Sequence, residues 1–406
     1  MKINYYLSKN CRFCQSSNME LVLPLAPSPL CDEYLAEKKY QEVFPLDLYF
    51  CRKCNLSQIK CVIDPSYIYK NYILDWRGLL PKHFRDYAND LVAKLGNNKV
   101  FAALDIGSSD GSLLKCLKDK GLSVLGIEPA DEIANIAKRN GVDTIVDYFN
   151  KETAELVNDK YGQFDIVTIN NLFANIDNVD EFVESIKIVL SKNGVIVIES
   201  AYLGKMIENI MFDFIYHEHL SCISILPLEQ FFQKHDMKLV ELQPVSTKGG
   251  SMRYYFASNT SNIENNEGVN FYRNIEIDNK LNKIETFYEL NKKIVEKRNE
   301  LLSFLLDNSG KKVVGYGASA TSTTFIYHLG IGGYLDALVD DHPGKIGKYS
   351  PGLQLKVFDS DHIYNNNIDI VLLIAWRFAD QIMHKHKNFK GHFIVPLPEF
   401  KVIENN

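Results

Sequence analysis

Between residues 100 and 200 of this 406-residue chain, short apolar runs alternate with amphipathic stretches of helical length. Each apolar run is short enough to form one buried strand. Strands that alternate with helices are typical of a parallel sheet flanked by helices. The pattern therefore predicts an α/β domain whose strands are VFAALDIG, SVLGIEP, DTIVDYF, FDIVTINN and NGVIVIES.

The residues on either side of this region predict further elements. Helical spacing begins after Pro81. KLVELQPV and SMRYYFAS, separated by Lys248-Gly249-Gly250, predict two strands that form an antiparallel edge pair. Residues 262–308 are charged and periodic, without helix breakers after Gly268, which predicts one or two long helices.

A second unit of strand, glycine loop and helix opens at KKVVGYGASA. It continues through YLDALVDD, DIVLLIAW and HFIVPLP, which predicts a smaller doubly wound sheet. Gly315-x-Gly317-x-x-Ala320 resembles a dinucleotide fingerprint, and Asp340 or Asp341 follows at about the expected distance. Taken alone, this unit indicates an NAD-dependent oxidoreductase.

Composition narrows the classes of function. A net charge of −6 argues against nucleic-acid binding, which needs a basic face. No apolar stretch is long enough for a membrane helix, and MKINYYLSKN lacks the apolar run of a secretory signal. We therefore expect a cytoplasmic protein without membrane or nucleic-acid partners, as a monomer or weak homo-oligomer, whose cysteines are reduced.

Residues 1–70 contain six of the eight cysteines and little apolar sequence for a core. Cys11-x-x-Cys14 and Cys51-x-x-Cys54 each place two thiolates on one tight turn, a separation that suits tetrahedral Zn²⁺. The gap between the pairs is longer than in most zinc ribbons, and four free thiols are the alternative. Because four thiolates leave no open coordination position, the predicted zinc is structural.

The segment LDIGSSDGSLL predicts a ligand-binding loop. A strand ends at Asp105, and Gly107 and Gly111 let backbone N–H groups approach a ligand before the next helix. Such a loop fits NAD as well as S-adenosylmethionine. The next strand ends at Glu128, which is well placed to accept hydrogen bonds from both ribose hydroxyls.

The acidic-x-Gly at 105–107, Glu128 and FDIVTINN at 164–171 resemble the successive motifs of class I methyltransferases. With the cysteine pairs, YHEH at 216–219 and GGSMR at 249–253, they resemble the sugar C-methyltransferase family that makes branched deoxysugars. The resemblance implies an α/β fold: a class I methyltransferase-like doubly wound sheet with a small N-terminal zinc module and a C-terminal Rossmann-like domain. The expected domains are residues 1–70, 71–261 and 262–406.

The resemblance also implies the chemistry. The expected cofactors are S-adenosylmethionine and a structural Zn²⁺, and the expected substrate is a nucleotide-linked 4-keto-deoxyhexose that is methylated at C3 through an enolate. His219 is the expected base, with Tyr216 and Glu218 supporting it, while His217 should point elsewhere. The expected cofactor contacts are Asp105, Gly107, Gly111, Glu128, Phe149 and Asn170.

Three further residues match the family's substrate site or depart from it. Asn171 fits the family's pattern, but Asn175 stands where relatives usually carry a histidine, and asparagine cannot exchange a proton. Tyr72 belongs to a Tyr-rich segment that in the family reaches over the substrate. In the family the C-terminal domain is associated with the nucleotide sugar, which favours nucleotide-sugar binding or a scaffold role over NAD for its glycine loop.

Two alternatives remain at this point. One is a nicotinamide-dependent keto-sugar reductase or epimerase that uses the loop at Gly315 and Gly317. The other is a non-catalytic relative that binds nucleotide sugars, as Asn175 suggests.

Overall fold

The alternating region folds around a seven-stranded sheet. A computed structural model describes residues 3–68, 80–95, 101–365 and 367–404 of the protein. The sheet strands, in chain order, are β6 (Ala102–Ile106), β7 (Ser123–Ile127), β8 (Thr144–Ile145), β9 (Phe164–Asn170), β10 (Leu190–Ala201), β12 (Met237–Val245) and β13 (Ser251–Ser258).

The strand order across this sheet is β12-β13-β10-β9-β6-β7-β8. Strands β6 to β10 pair in parallel, whereas β13 runs antiparallel to both β10 and β12. The antiparallel pair that the sequence predicts is therefore present, with β13 inserted inside the sheet. This is the class I methyltransferase arrangement, and it brings the carboxyl ends of β6, β7, β9 and β10 to one edge.

Helices cover both faces of this sheet. The periodic sequence after Pro81 is helical from Leu80, and the charged region predicted to be helical forms two helices. The helices are α1 (Pro65–Ile68), α2 (Leu80–Leu95), α3 (Ser112–Lys118), α4 (Asp131–Arg139), α5 (Lys151–Tyr161), α6 (Val179–Val189), α7 (Leu203–Glu208), α8 (Ile225–Gln233), α9 (Gly268–Asp278) and α10 (Glu285–Asp307).

The cysteine-rich region forms small antiparallel sheets. Its strands are β1 (Tyr5–Leu7), β2 (Met19–Leu23), β3 (Leu48–Cys51), β4 (Ser57–Ile59) and β5 (Cys61–Ile63). A short strand from the middle of the chain, β11 (Ser221–Cys222), pairs with β4, so that one sheet has the order β11-β4-β3-β2. Because β11 directly follows YHEHL, this pairing joins the cysteine-rich region to the predicted catalytic residues.

The C-terminal region forms a second doubly wound sheet with the order β16-β15-β14-β17-β18-β19. All neighbours are parallel except β18 and β19. Its elements are β14 (Val313–Tyr316), α11 (Ala320–Leu329), β15 (Ala337–Asp340), β16 (Val357–Asp359), β17 (Ile370–Leu373), α12 (Ala379–Lys385), β18 (His392–Val395) and β19 (Lys401–Glu404). Among the described residues, no helix combines the length and apolar character that a bilayer crossing requires.

Candidate functional site

Cys11, Cys14, Cys51 and Cys54 form one cluster, with all four sulfur atoms within 4.8 Å of one another. The Sγ atoms of Cys11 and Cys54 are 3.5 Å apart, as are those of Cys14 and Cys51. Zn–S bonds of about 2.3 Å in a tetrahedron place sulfurs about 3.8 Å apart, so the cluster fits one zinc ion. Cys11, Cys14, Cys51 and Cys54 would hold it, with no position left for a substrate.

Both cysteine pairs lie on the same kind of turn. The residue after each pair, Gln15 or Asn55, has a positive φ and donates its N–H to the carbonyl of the first cysteine, Cys11 or Cys51. This geometry turns two sulfur atoms of one segment toward the same point. The repeated Cys-x-x-Cys spacing therefore encodes two equivalent halves of one metal site.

One cavity of about 270 Å³ opens at the carboxyl edge of the central sheet. We call it the main cavity. It is lined from one side by the β6–α3 loop and the ends of β7 and β9, and from the other by YHEHL. The predicted site residues that line it are Gly107, Glu128, Phe149, Asn170, Asn171, Asn175, Tyr216, Glu218 and His219. The structure thus brings both predicted groups of residues to one space.

Gly107 is the point where the chain leaves β6 and enters the cavity wall. Its φ of 74° lies in the left-handed region, and a Cβ there would approach Leu172 Cδ2 to 3.0 Å. The left-handed φ therefore favours glycine here, and a Cβ would in addition crowd Leu172. Gly111 is placed differently: it precedes α3 and packs against Ala137 and Val142 instead of lining the cavity.

Glu128 directly follows β7, and backbone N–H groups fix its carboxylate. Oε2 accepts the N–H of Ser109 at 3.0 Å, and Oε1 accepts the N–H of Ala130 at 2.9 Å. Burial raises the pKa of Glu128, and these two hydrogen bonds oppose that rise. Each carboxylate oxygen retains a further lone pair for a ligand hydroxyl.

Asp105 lies below the cavity and holds one of its lining residues. Its Oδ1 accepts hydrogen bonds from Thr168 Oγ1 at 2.7 Å and from Asn170 Nδ2 at 3.1 Å. Burial raises the pKa of Asp105 to about 7.

Asn170 and Ser109 line the cavity, and Asn170 Oδ1 and Ser109 Oγ are both buried without a hydrogen-bond partner among the described residues. Such unpaired polar atoms are what a polar ligand would satisfy.

His219 has a defined tautomer. Its Nδ1 lies 2.8 Å from the carbonyl oxygen of Phe214, which can only accept, so Nδ1 carries the proton. Nε2 is then the acceptor for the Tyr216 hydroxyl at 3.0 Å. Burial and the nearby Lys248 lower the pKa of His219 to about 4. The ring is neutral at physiological pH, with the basic nitrogen directed to Tyr216.

The two residues that precede His219, His217 and Glu218, have strongly shifted pKa values. Burial and then Asp32 raise the pKa of Glu218 to about 7, opposed by Lys248 and Lys345. The ring of His217 packs edge-on against Phe44, and the residue is buried at the wall of the main cavity. Burial lowers its pKa to about 4. His217 is therefore unsuitable as a distant control for His219.

Asn171 and Asn175 line the same cavity as His219. Asn171 has a φ of 54° and donates its N–H to the carbonyl of Glu199 on β10. Asn175 ends a short 3₁₀ turn, Phe173–Asn175. The asparagine that replaces the family's histidine therefore faces the same space as the predicted base. Tyr72 lies outside the described residues.

Lys248 is a cavity residue that the sequence analysis did not select. It lines the main cavity together with Tyr216, Glu218 and His219, on the turn between β12 and β13. Burial lowers its pKa to about 8, opposed by the charges of Glu199 and Glu218. Its position directly before GGSMR was the one available signal, because it places the side chain at the sheet edge.

The C-terminal glycine loop uses its polar groups internally. Asp340 accepts the N–H of Ala318 at 2.6 Å through Oδ2 and the N–H of His342 at 2.7 Å through Oδ1. A Cβ on Gly317 would approach Ala375 Cβ to 2.8 Å, so this glycine allows close packing of two protein segments. These contacts fit a scaffold role for the loop better than dinucleotide binding.

Comparisons with known proteins find three family models that match successive parts of the chain. Family models match residues 11–69 as a zinc binding domain, residues 80–242 as a methyltransferase domain and residues 246–398 as a C-methyltransferase C-terminal domain. The C-methyltransferase NovU of Streptomyces niveus is 27% identical over 405 residues, which cover 97% of this chain and 96% of that relative.

More distant similarity covers about half of the chain. The ubiquinone biosynthesis O-methyltransferase of Bordetella avium (strain 197N) is 23% identical over 195 residues, covering 46% of this chain and 78% of that relative. The solved magnesium protoporphyrin IX methyltransferase of Synechocystis PCC 6803 with bound SAM is 13% identical, covers 46% of this chain and 86% of its own, and has a TM-score of 0.34. The fold assignment rests on the strand order and the family model.

Proposed function

We propose that this protein, which belongs to the S-adenosylmethionine-dependent C-methyltransferase family, methylates C3 of a nucleotide-linked 4-keto-deoxyhexose. The observation that supports this proposal is the main cavity, which joins Gly107 and Glu128 to Tyr216 and His219. A base within reach of a cofactor pocket suits methylation at a carbon whose hydrogen is weakly acidic. Carbon beside a ketone meets that requirement.

Gly107, Glu128 and Asn170 would hold the cofactor, with Phe149 at the cavity wall. S-adenosylmethionine, when bound, supplies an electrophilic methyl group. Glu128 would accept from the ribose hydroxyls, because two backbone N–H groups already fix its orientation. The unpaired Oδ1 of Asn170 would accept a hydrogen bond from a polar cofactor group. Asp105 would act through Asn170 by fixing its amide.

His219 would remove the proton from C3. The basic nitrogen Nε2 faces Tyr216 inside the cavity, and the hydrogen bond to Phe214 keeps Nδ1 protonated. A neutral imidazole with a fixed tautomer is available as a base across the physiological pH range. Tyr216 would orient Nε2 and then release it as the substrate enters.

Lys248 would stabilise the enolate oxygen that forms at C4. Its turn packs closely against its neighbours: a Cβ on Gly249 would approach Met211 Cε to 2.8 Å, and a Cβ on Gly250 would approach Lys205 Cγ to 2.6 Å. Lys248 itself has a φ of 54°, a conformation that costs about 1 kcal/mol for a residue with a side chain. A positive charge fixed near a developing oxyanion lowers the barrier of such reactions.

The domain limits at residues 70 and 261 belong to the same proposal. The second limit is supported by β13, which ends at Ser258 inside the central sheet. The remainder of the chain would contribute the nucleotide-sugar side of the cleft.

The direct test is a product assay with purified protein. Nucleotide-linked 4-keto-6-deoxyhexoses would be incubated with S-adenosylmethionine, and the product examined by mass spectrometry and carbon-13 NMR. We expect a mass gain of one methylene unit and a new methyl group on C3. A methyl group on oxygen, or turnover with NAD(P)H alone, would contradict the proposal.

A further inference from the structure

The two cysteine turns carry arginines in very different surroundings. Arg12 and Arg52 each follow the first cysteine of their pair, in Cys-Arg-Phe-Cys and Cys-Arg-Lys-Cys. Arg52 lies at the surface, 42% exposed, in an ion pair with Glu20. The side chain of Arg12 is only 2% exposed. Equivalent positions on equivalent turns therefore differ in what their side chains contact.

Arg12 reaches from the cysteine site to two walls of the main cavity. Its Nη1 donates to the carbonyl oxygens of Ile59 at 2.7 Å and Leu220 at 3.2 Å. Its Nε donates to Asp177 Oδ1 at 2.9 Å. Leu220 and Asp177 both line the main cavity. One guanidinium thus connects the YHEHL wall to the wall that follows Asn175.

The burial of Arg12 is not an efficient way to gain stability. Taking a guanidinium out of water costs several kcal/mol, and a buried ion pair often only offsets that loss. Arg12 Nη2 is also buried without an acceptor among the described residues. The planar guanidinium instead donates hydrogen bonds in fixed directions to separate segments of the chain. Such hydrogen bonds fix the relative positions of those segments.

We propose that Arg12 is a positioning residue that sets the place of His219 relative to the Asn175–Asp177 wall. Leu220, which directly follows His219, has its carbonyl held by Arg12 and by the N–H of Ile59. A shift of this carbonyl would displace His219 relative to its hydrogen-bond partners Phe214 and Tyr216. The catalytic part of this inference rests on the proposed function, whereas the positional part does not.

The test compares Arg12→Met with the matched control Arg52→Met. Methionine keeps much of the side-chain length and apolar contact but removes the charge and the donors. We expect Arg12→Met to lose about 10–100-fold in kcat, as misplacement of a catalytic group does, with KM and S-adenosylmethionine affinity changed less than about threefold. Arg52→Met should match the wild type in kcat, in KM and in S-adenosylmethionine affinity. Asp177→Asn, which weakens one contact and leaves Arg12 in place, should give a smaller loss in kcat.

A second readout needs no substrate. The His219 ring, assigned by loss of its signal in His219→Asn, would be titrated by NMR in each variant. We expect Arg12→Met to raise its titration midpoint by about one pH unit, because a loosened segment admits water to the imidazole. Zinc content should stay unchanged. If the wild type methylates no keto-sugar, the proposed function fails but this readout still decides the inference.

Wild-type kcat together with an unmoved His219 signal in Arg12→Met would overturn the inference. Should Arg12→Met lose its zinc or fail to fold, Asp177→Asn decides: wild-type kcat and an unmoved His219 signal in that variant would also overturn it.

Discussion

At the scale of single residues, the main cavity keeps a neutral imidazole beside a cation. His219 has its pKa lowered to about 4 and Lys248 has its pKa lowered to about 8, each chiefly by burial. Between these values the imidazole is free to accept a proton while most of the lysine remains charged. The two groups therefore have different roles over the same pH range, since one can receive a proton and the other can stabilise an oxyanion.

Lys248→Met tests the second role. Removing the charge should lower kcat by about 10²–10³-fold, the size of effect seen when one oxyanion donor is lost. Affinity for S-adenosylmethionine, measured by calorimetry, should be retained. A matched control is Lys115→Met, because Lys115 lies at the surface in an ion pair with Asp119. Equal turnover in Lys248→Met and the wild type would remove Lys248 from the mechanism.

The pH profile tests the same pair independently. In the proposed mechanism the protonated form of Lys248 is the active one, so kcat/KM should fall as pH rises above about 8. As pH falls through 6.5, kcat/KM should not decrease through protonation of His219, since its ring remains neutral down to about pH 4. The alkaline limb should vanish in Lys248→Met. If the decrease at high pH persists unchanged in Lys248→Met, another group causes it.

Residue types and spacing selected nine of the residues that line the main cavity. Asp105, Glu128 and the YHEH residues stand at strand ends or in a short cluster, where sequence position and chemistry coincide. Lys248 was missed because its side chain reaches the cavity only through the left-handed turn with Gly249 and Gly250. The role of Asp105 as a partner of Asn170 likewise depends on the pairing of β6 with β9, which spacing along the chain does not reveal.

At the scale of elements, the β6–α3 loop and the end of β7 form one ligand-binding unit. The N–H of Ser109 in the loop bonds to Glu128, so the carboxylate also closes the loop. Glu128→Ala should weaken S-adenosylmethionine binding by about 1.5–3 kcal/mol, as expected for hydrogen bonds to a charged group. Glu132→Ala, an exposed change in the first turn of α4, is the control. Calorimetry with equal affinities for both variants would contradict the assignment of Glu128.

The hydrophobic pattern predicted the existence of the central strands better than their lengths and order. DTIVDYF forms only the two-residue strand β8, because the chain then leaves the sheet and Phe149 turns into the cavity wall. The insertion of β13 between β10 and β12 is decided by long-range pairing, which a local pattern does not contain. YHEHL has no regular secondary structure, so its placement depends on neighbouring segments from distant parts of the chain.

At the scale of the whole molecule, all three parts of the chain meet around YHEHL. The cysteine-rich region pairs β4 with β11 directly after it. From the C-terminal region, Arg377 Nη1 and Trp376 Nε1 donate to the buried carboxylate of Asp213, at 2.8 and 3.2 Å. Thr324 Oγ1 also donates to the carbonyl of Ile215. Both outer regions therefore contact the central segment that carries His219, the proposed base.

This arrangement predicts that zinc supports activity through structure. Metal-replete protein should contain about one Zn²⁺ per chain by elemental analysis. Cys51→Ser should lower both metal content and the melting temperature, because a structural zinc site stabilises the fold that forms it. Cys61→Ser, a change of a buried thiol outside the cluster, should retain the metal. Four freely titratable thiols in the native protein, with no zinc, would contradict the site.

The central claim is that His219 takes a proton from the carbon beside the ketone. The most direct measurement is solvent deuterium entry into a nucleotide-linked 4-keto-deoxyhexose in D₂O without S-adenosylmethionine, followed by proton NMR. We predict exchange at C3 with the wild type and a rate about 10²–10⁴-fold lower with His219→Ala, which should retain cofactor affinity. Tyr216→Phe should lower the exchange rate less than His219→Ala does, since it keeps the proposed base His219. Wild-type exchange by His219→Ala would contradict the account.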